Sequence, residues 1–281
     1  MCRAVEAAYE SRGEARSVLL WWLEAHFGVR PARAMCDLFP DFPPAQRRQM
    51  ADELQQLAEG CPVQYILGYA ETGGQRWQVS PAVLIPRPET QELVEWVLHD
   101  LPAAEPQGAA LRLFDVGTGS GFIAVQIAAA RPDVMVEACD ISARALEVAR
   151  RNAADRGVGV RFFQADLYHP DCVAGRTYDV VVSNPPYVRP SERRDMQERV
   201  WRYEPAEALF VTETDPLRPY RALAALARRT LLPGGRLYVE INQYLYAETR
   251  RLLLDAGWRG VTLRRDAFGH YRMLRAEVGA E

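Results

Sequence analysis

From Leu111 onward, short apolar runs rich in strand formers alternate with longer runs of helical period. This alternation restricts the fold more than any other feature of the 281-residue chain. "LRLFDV" (111–116), "VMVEACD" (134–140), "VRFFQAD" (160–166), "YDVVVSN" (178–184) and "RLYVEI" (236–241) read as strands. Between them, "FIAVQIAAA" (122–130), "SARALEVARRNAADRG" (142–157), "DPLRPYRALAALARRTLLPGG" (215–235) and "AETRRLLLDAG" (247–257) read as helices with their stops. Ser142 is placed to cap the second of these and Gly157 to end it. Repeated strand–helix units predict a parallel sheet covered by helices on both faces. "WRGVTLRRD" and "HYRMLRAEV", joined by a short turn, predict a terminal pair that adds one antiparallel strand.

Parallel sheets of this kind bind ligands beyond the carboxyl ends of their strands. The residues gathered there are Asp115 with the loop Gly117-Thr118-Gly119-Ser120-Gly121, then Asp140, Asp166 and Asn184. Glycines let a ligand approach the backbone without meeting a Cβ. The loop also leads into a helix N-terminus, which favours negative groups. A dinucleotide fingerprint would need glycine at position 122, where Phe122 stands. The G-x-G-x-G spacing resembles instead the loop of S-adenosylmethionine-dependent methyltransferases. Asp140 ends the second strand, where an acid accepts hydrogen bonds from ribose hydroxyls. Asp166, ending the third, is placed to take an adenine amino group. One acid at a strand end is as readily a cap or a turn former. Four polar strand ends in step are harder to explain that way.

"VVSNPPYVRP" (181–190) then runs a strand straight into two prolines. Alone, Pro-Pro is an ordinary strand stop. Here it follows Ser183-Asn184 at the end of the fourth strand of such a sheet. A planar amide or aromatic amine is a poor nucleophile because its nitrogen lone pair is delocalised. Two acceptors gripping its two N–H hydrogens orient the nitrogen and stabilise the positive charge that grows on it during methylation. Asn184 offers a side-chain carbonyl and Pro185 a backbone carbonyl. The rings of Pro185 and Pro186 fix φ and lack a competing N–H. Tyr187 is expected to stack an aromatic face on the planar group.

The first 68 residues read as a helical bundle, with "ARSVLLWWLEAHFG" stopping at Gly28 and "PPAQRRQMADELQQLAEG" at Gly60. The Leu19, Trp21, Trp22 stripe reads as core packing. Residues 69–86, around Gly73-Gly74, read as a β-hairpin linker, with the main domain over 87–281 and a loop over 101–110. The formal net charge is −3, which argues against a polyanion partner. All 34 basic residues are arginine, which excludes Schiff-base lysine chemistry and a lysine-bearing phosphate loop. Cys2, Cys36, Cys61, Cys139 and Cys172 are scattered without a C-x-x-C pair. They suggest a reducing, cytoplasmic setting and no structural metal. The N-terminus lacks an apolar signal core, and "VLLWWLEAHF", broken by Glu24, is too short to span a bilayer.

"PVQYILG", "VLIPRPETQELVEWV", "DVGTGSG", "CDISARALEVARRNA", "VVSNPPYV", "EPAEALF" and "DAFGHYR" together resemble the HemK/PrmC family, from about Pro62 to Arg272. These are N5-glutamine methyltransferases of class 1 peptide-chain release factors. The resemblance implies an α/β, Rossmann-like class I methyltransferase fold with a small N-terminal helical domain joined by a hairpin. It implies S-adenosylmethionine as cofactor, S-adenosylhomocysteine as product, and the glutamine of a Gly-Gly-Gln loop as substrate. By the same resemblance, Asn184, Pro185, Pro186 and Tyr187 hold that side chain. Asp115, Gly117 to Gly121, Asp140, Asp166, Leu167 and Asn184 contact the cofactor. Leu167 stands where the family often has an aromatic residue, so it can pack on adenine but cannot stack. Asn242 and Leu245 also depart from the family pattern after "VEI", and a local structural difference is expected there. Arg87 and Glu89 in "IPRPET" read either as a loop ion pair or as shaping substrate entry. His270 reads as a solvent-facing hairpin residue. A cytoplasmic monomer without direct nucleic-acid or membrane binding is expected. Two alternatives share the chemistry: glutamine methylation of a ribosomal protein, and N6-adenine methylation, which would need base flipping and a basic surface.

Overall fold

The computed structural model describes residues 2–36, 38–103, 110–169 and 173–279. The expected loop over 101–110 lies mostly outside them, as does Cys172. Helices α1 (Cys2–Glu6), α2 (Arg12–Phe27), α3 (Pro31–Met35), α4 (Pro44–Ala58) and α5 (Val63–Leu67) come first. Gly28 ends α2 in the left-handed conformation, φ 65°, and Ser11 caps its start by accepting from the Glu14 amide. Val5, Ala15, Trp22, Leu54, Leu57 and Leu67 bury a core of their own, with Leu19 and Trp21 packed at its margin. Trp22 Nε1 donates to Glu53 Oε2 at 2.6 Å.

Strands β1 (Tyr69–Thr72) and β2 (Gln75–Gln78) form the hairpin, turning on Gly73 and Gly74 at φ 61° and 71°. An unforeseen helix follows, α6 (Pro88–Asp100). Pro88 opens it and Leu93, Val94, Trp96 and Val97 face the core, so its pattern is helical throughout.

The main sheet contains β3 (Arg112–Val116), β4 (Met135–Asp140), β5 (Val160–Gln164), β6 (Tyr178–Ser183), β7 (Leu231–Glu240), β8 (Arg259–Arg265) and β9 (Tyr271–Glu277). Their order is β5-β4-β3-β6-β7-β9-β8, and β9 alone runs against the others. Helices α7 (Phe122–Ala130), α8 (Ala143–Asp155), α11 (Arg218–Thr230) and α12 (Tyr246–Asp255) cross over between strands. The short α9 (Glu198–Tyr203) and α10 (Ala206–Leu209) lie between β6 and α11. Successive strand residues point to opposite faces and both faces are covered. Phe114, Val181 and Leu237 pack under α11 and α12, while Leu113, Val182 and Tyr238 pack under α6 and α7.

One expected helix stop belongs to a strand. α11 ends at Thr230, and "PGG" (233–235) bulges within β7. Pro233 cannot continue a helix, and a Cβ on Gly235 would stand 2.8 Å from the Leu232 carbonyl oxygen.

Candidate active site

Strand order reverses between β3 and β6, because the chain leaves β3 toward β4 on one side and reaches β6 on the other. A crevice opens at the carboxyl ends of such a pair. The register seats Val116 beside Ser183 and beside Cys139. The glycine loop, Asp140 and Asn184 therefore meet at one edge, around a cleft of about 260 Å³. Ser183 Oγ donates to the Val116 carbonyl at 2.7 Å, and the Gly117 and Thr118 amides both donate to the Cys139 carbonyl at 2.9 Å.

Asp115 lies beneath the loop, fully buried. Its Oδ2 accepts from the Thr118 hydroxyl at 2.6 Å while Oδ1 has no partner. Burial pushes this carboxyl up to about 7, against the opposing pull of the Thr118 hydroxyl. Gly117 and Gly119 take φ 73° and 54°, and a Cβ on either would meet open space. Gly121 is different: at φ 81°, its Cβ would stand 3.1 Å from that of Ala149. That glycine is required by the close approach of α7 to α8.

Asp140 accepts from the Gly119 amide at 2.8 Å and the Ser142 amide at 2.9 Å, one on each oxygen. Burial raises its pKa and these amides oppose the rise. It thus ties the glycine loop to the start of α8 and keeps second lone pairs for the cleft. Asp166 caps its own turn, accepting from the Tyr168 amide at 2.8 Å and contacting His169 Nδ1 at 2.8 Å. Its burial works against ionisation, and those contacts outweigh it and hold the pKa low. Leu167 and Asp166 both line the cleft.

Asn184, Pro185 and Pro186 line the cleft beside the glycine loop, but Tyr187 is not part of its lining. The tyrosine hydroxyl donates to Glu240 Oε1 at 2.9 Å and the ring packs at the edge of the main core. The end of β7 thus offers the Tyr187 hydroxyl a buried acceptor that anchors the ring. Asn184 Nδ2 donates to Thr90 Oγ1 at 3.1 Å, and Thr90 Oγ1 donates to Glu240 Oε2 at 2.6 Å. Asn242 Nδ2 donates to the Tyr187 carbonyl at 2.9 Å and to Glu192 Oε2 at 2.9 Å, bracing the same turn from the far side. Leu245, the other departure, is buried.

Arg87 borders the cleft but pairs with Glu204 instead of Glu89. Glu204 is buried and also accepts from the Ile85 amide at 3.0 Å, so it fastens the segment before α6 to "EPAEALF". Glu89 sits in the first turn of α6. His270 is exposed on the β8–β9 turn.

Thr90, Glu240, Glu204 and Asn152 were not among the residues expected from sequence. Asn152 donates to the Gln78 and Ser120 carbonyls at 3.0 and 2.8 Å and accepts from the Gln78 amide at 2.7 Å. A signal existed for it: Asn152 continues the buried stripe of Ala145, Val148 and Ala149, a polar residue on an apolar helical face. Glu240 is likewise a charged residue closing an apolar strand.

Fold and cleft together define a Rossmann-like class I methyltransferase. A methyltransferase from Pyrococcus furiosus shares the fold, at 18% identity and a TM-score of 0.52, covering 85% of this chain and 100% of that one. The family model of the methyltransferase small domain matches residues 95–203. A release factor glutamine methyltransferase from Bacteroides thetaiotaomicron is 43% identical over 231 residues, 82% of this chain and 81% of that protein. One from Flavobacterium psychrophilum is 41% identical over 82% of this chain and 80% of its own length. The chain belongs to the release factor glutamine methyltransferase family. Among the described residues, no helix is long and apolar enough to cross a membrane.

Proposed function

We propose that this protein methylates the side-chain amide nitrogen of the glutamine in the Gly-Gly-Gln loop of class 1 peptide-chain release factors, using S-adenosylmethionine. The observation that carries this reading is the meeting of Asn184 and Pro185 with the glycine loop at one cleft, in a chain of this family. The cleft suits the cofactor. Gly117 and Gly119 line it and leave open space above their backbone. Gly117 to Ser120 would hold the amino-acid end, with Asp115 bracing the loop from beneath through Thr118 and Gly121 seating it against α8. Asp140 would take the ribose hydroxyls, and Asp166 and Leu167 would border the adenine.

When bound, S-adenosylmethionine supplies an electrophilic methyl on a sulfonium centre. Asn184 Oδ1 and the Pro185 carbonyl accept the two N–H hydrogens of the glutamine amide and aim its nitrogen. Their dipoles offset the charge that develops there. The nitrogen becomes acidic only as it is alkylated, so no prior deprotonation is required, and the proton it then sheds passes to water. Arg87, held by Glu204, borders the entrance for the substrate loop. Incubation with labelled cofactor, purified release factor, bulk ribosomal protein and DNA tests the reading. Label is expected on the release-factor glutamine and should vanish when that glutamine is replaced by alanine. Preferential labelling of ribosomal protein or DNA would reassign the substrate.

A further inference from the structure

The acceptor role of Asn184 demands that its amide face the cleft with oxygen, yet an asparagine can turn either end inward. The surroundings of Thr90 decide which. Thr90 is buried on the first turns of α6, far in sequence from Asn184. Its hydroxyl has one hydrogen, and that hydrogen goes to Glu240 Oε2 at 2.6 Å. The hydroxyl can therefore only accept from Asn184, so the asparagine must present its NH₂ to it at 3.1 Å. Glu240, 1% exposed at the end of β7, is held as the acceptor of the chain. Tyr187 donates to its other oxygen at 2.9 Å; burial raises the Glu240 pKa, and the Thr90 and Tyr187 hydroxyls with the Arg272 guanidinium oppose that rise. With both its oxygens accepting from hydroxyls, Glu240 sets the direction of every bond, which is passed along from carboxyl to hydroxyl to amide.

We infer that Thr90 and Glu240 are positioning residues that lock the Asn184 side chain with Oδ1 as the end offered to the substrate amide. The inference rests on the methyl-transfer reading above and adds what fixes its acceptor. Reversing the chain would present an NH₂ to the substrate's own NH₂, two donors face to face. The same buried carboxylate also anchors Tyr187, so both flanks of the Asn184–Tyr187 turn are held from one point on β7.

The test uses the full chain. Single-turnover methylation of a release factor is measured at saturating cofactor for wild type, Thr90→Val and Thr90→Ser, with cofactor affinity by calorimetry. In parallel, the side-chain NH₂ signals of Asn184 are followed by NMR. Thr90→Val keeps the shape and removes the hydroxyl. It should slow the chemical step by about 10- to 100-fold, the scale of losing one preorganised group, with cofactor affinity within about twofold of wild type. Its Asn184 NH₂ protons should exchange with water faster. Thr90→Ser restores the hydroxyl and should recover most of the rate and the protection. A folded Thr90→Val with wild-type rate, or a Thr90→Ser as slow as Thr90→Val, overturns the assignment. Wild-type protein that leaves the release factor unlabelled overturns the function itself, and this inference with it.

Discussion

Asn184 and Asp140 carry the sharpest residue-scale expectations. Asn184→Ala removes one of the two acceptors proposed for the substrate amide and should lower kcat by about 10²–10³, read by single-turnover kinetics at saturating cofactor. Tyr187→Phe should be milder, because the ring stays packed and only the bond to Glu240 is lost. Asp140→Ala removes an acceptor at the cleft and an anchor of the glycine loop. Calorimetry should show cofactor binding weakened by about 1.5–3 kcal/mol, the range for a charged hydrogen-bond partner. Unchanged affinity in a folded variant would leave Asp140 as a turn residue. Asp115 predicts a pH dependence. Burial holds its carboxyl at about 7, whereas an unfolded aspartate ionises near about 4. The folded protein therefore retains a proton that the unfolded chain has released. This contribution to stability is full below the unfolded value and is lost as pH rises through about 7. Asp115→Asn cannot ionise and escapes the loss. Urea denaturation should show the variant gaining about 1–3 kcal/mol relative to wild type between about pH 5 and pH 8.

Among elements, α8 does the most to shape the cleft. Its N-terminus is tied to Asp140, Ala149 touches the glycine loop, and Asn152 clamps that loop to the hairpin. Gly121→Ala would need a left-handed conformation and push α7 from α8. It should cost about 1–3 kcal/mol by chemical denaturation, with cofactor affinity falling alongside. The α6 helix works differently: it carries Thr90 to the end of β7 and so links the ends of the paired strands β6 and β7 from a distant part of the chain.

At the scale of the whole molecule, the N-terminal helices rest on α9. Arg199 pairs with Glu14 and lies 4.8 Å over the Tyr9 ring, and the Tyr203 hydroxyl donates to the Glu59 carbonyl at 2.9 Å. The hairpin adds Trp77, buried against Phe122 at 4.7 Å and covered by Arg156 at 3.5 Å. We propose that this seating holds the helical unit beside the cleft as a platform for the release factor. Arg199→Ala should weaken it by about 1 kcal/mol, since the pair is part-exposed. Release-factor KM should then rise while cofactor affinity stays constant. A KM unchanged in the variant would remove the helical unit from substrate binding.

The parallel sheet, the glycine loop and the rigid Asn-Pro-Pro-Tyr turn were legible from sequence, because each depends on local periodicity, on glycine's conformational freedom or on proline's fixed φ. Polar strand ends could be collected without knowing the fold's details, since topology brings every carboxyl end to one edge. What joined them was not local. Thr90 and Glu240 are 150 residues apart, Asn152 meets Gln78 across 74, and Arg87 finds Glu204 across 117. Such partners are chosen by which buried donor faces which buried acceptor once the layers have packed. For the same reason a loop ion pair of Arg87 with Glu89 could be read from sequence while the actual partner, Glu204, could not, nor could the bond from Tyr187 to the buried Glu240. Local chemistry marked Asn184 and Pro185 at the strand end; only the packed tertiary structure decided that Thr90 and Glu240 stand behind Asn184.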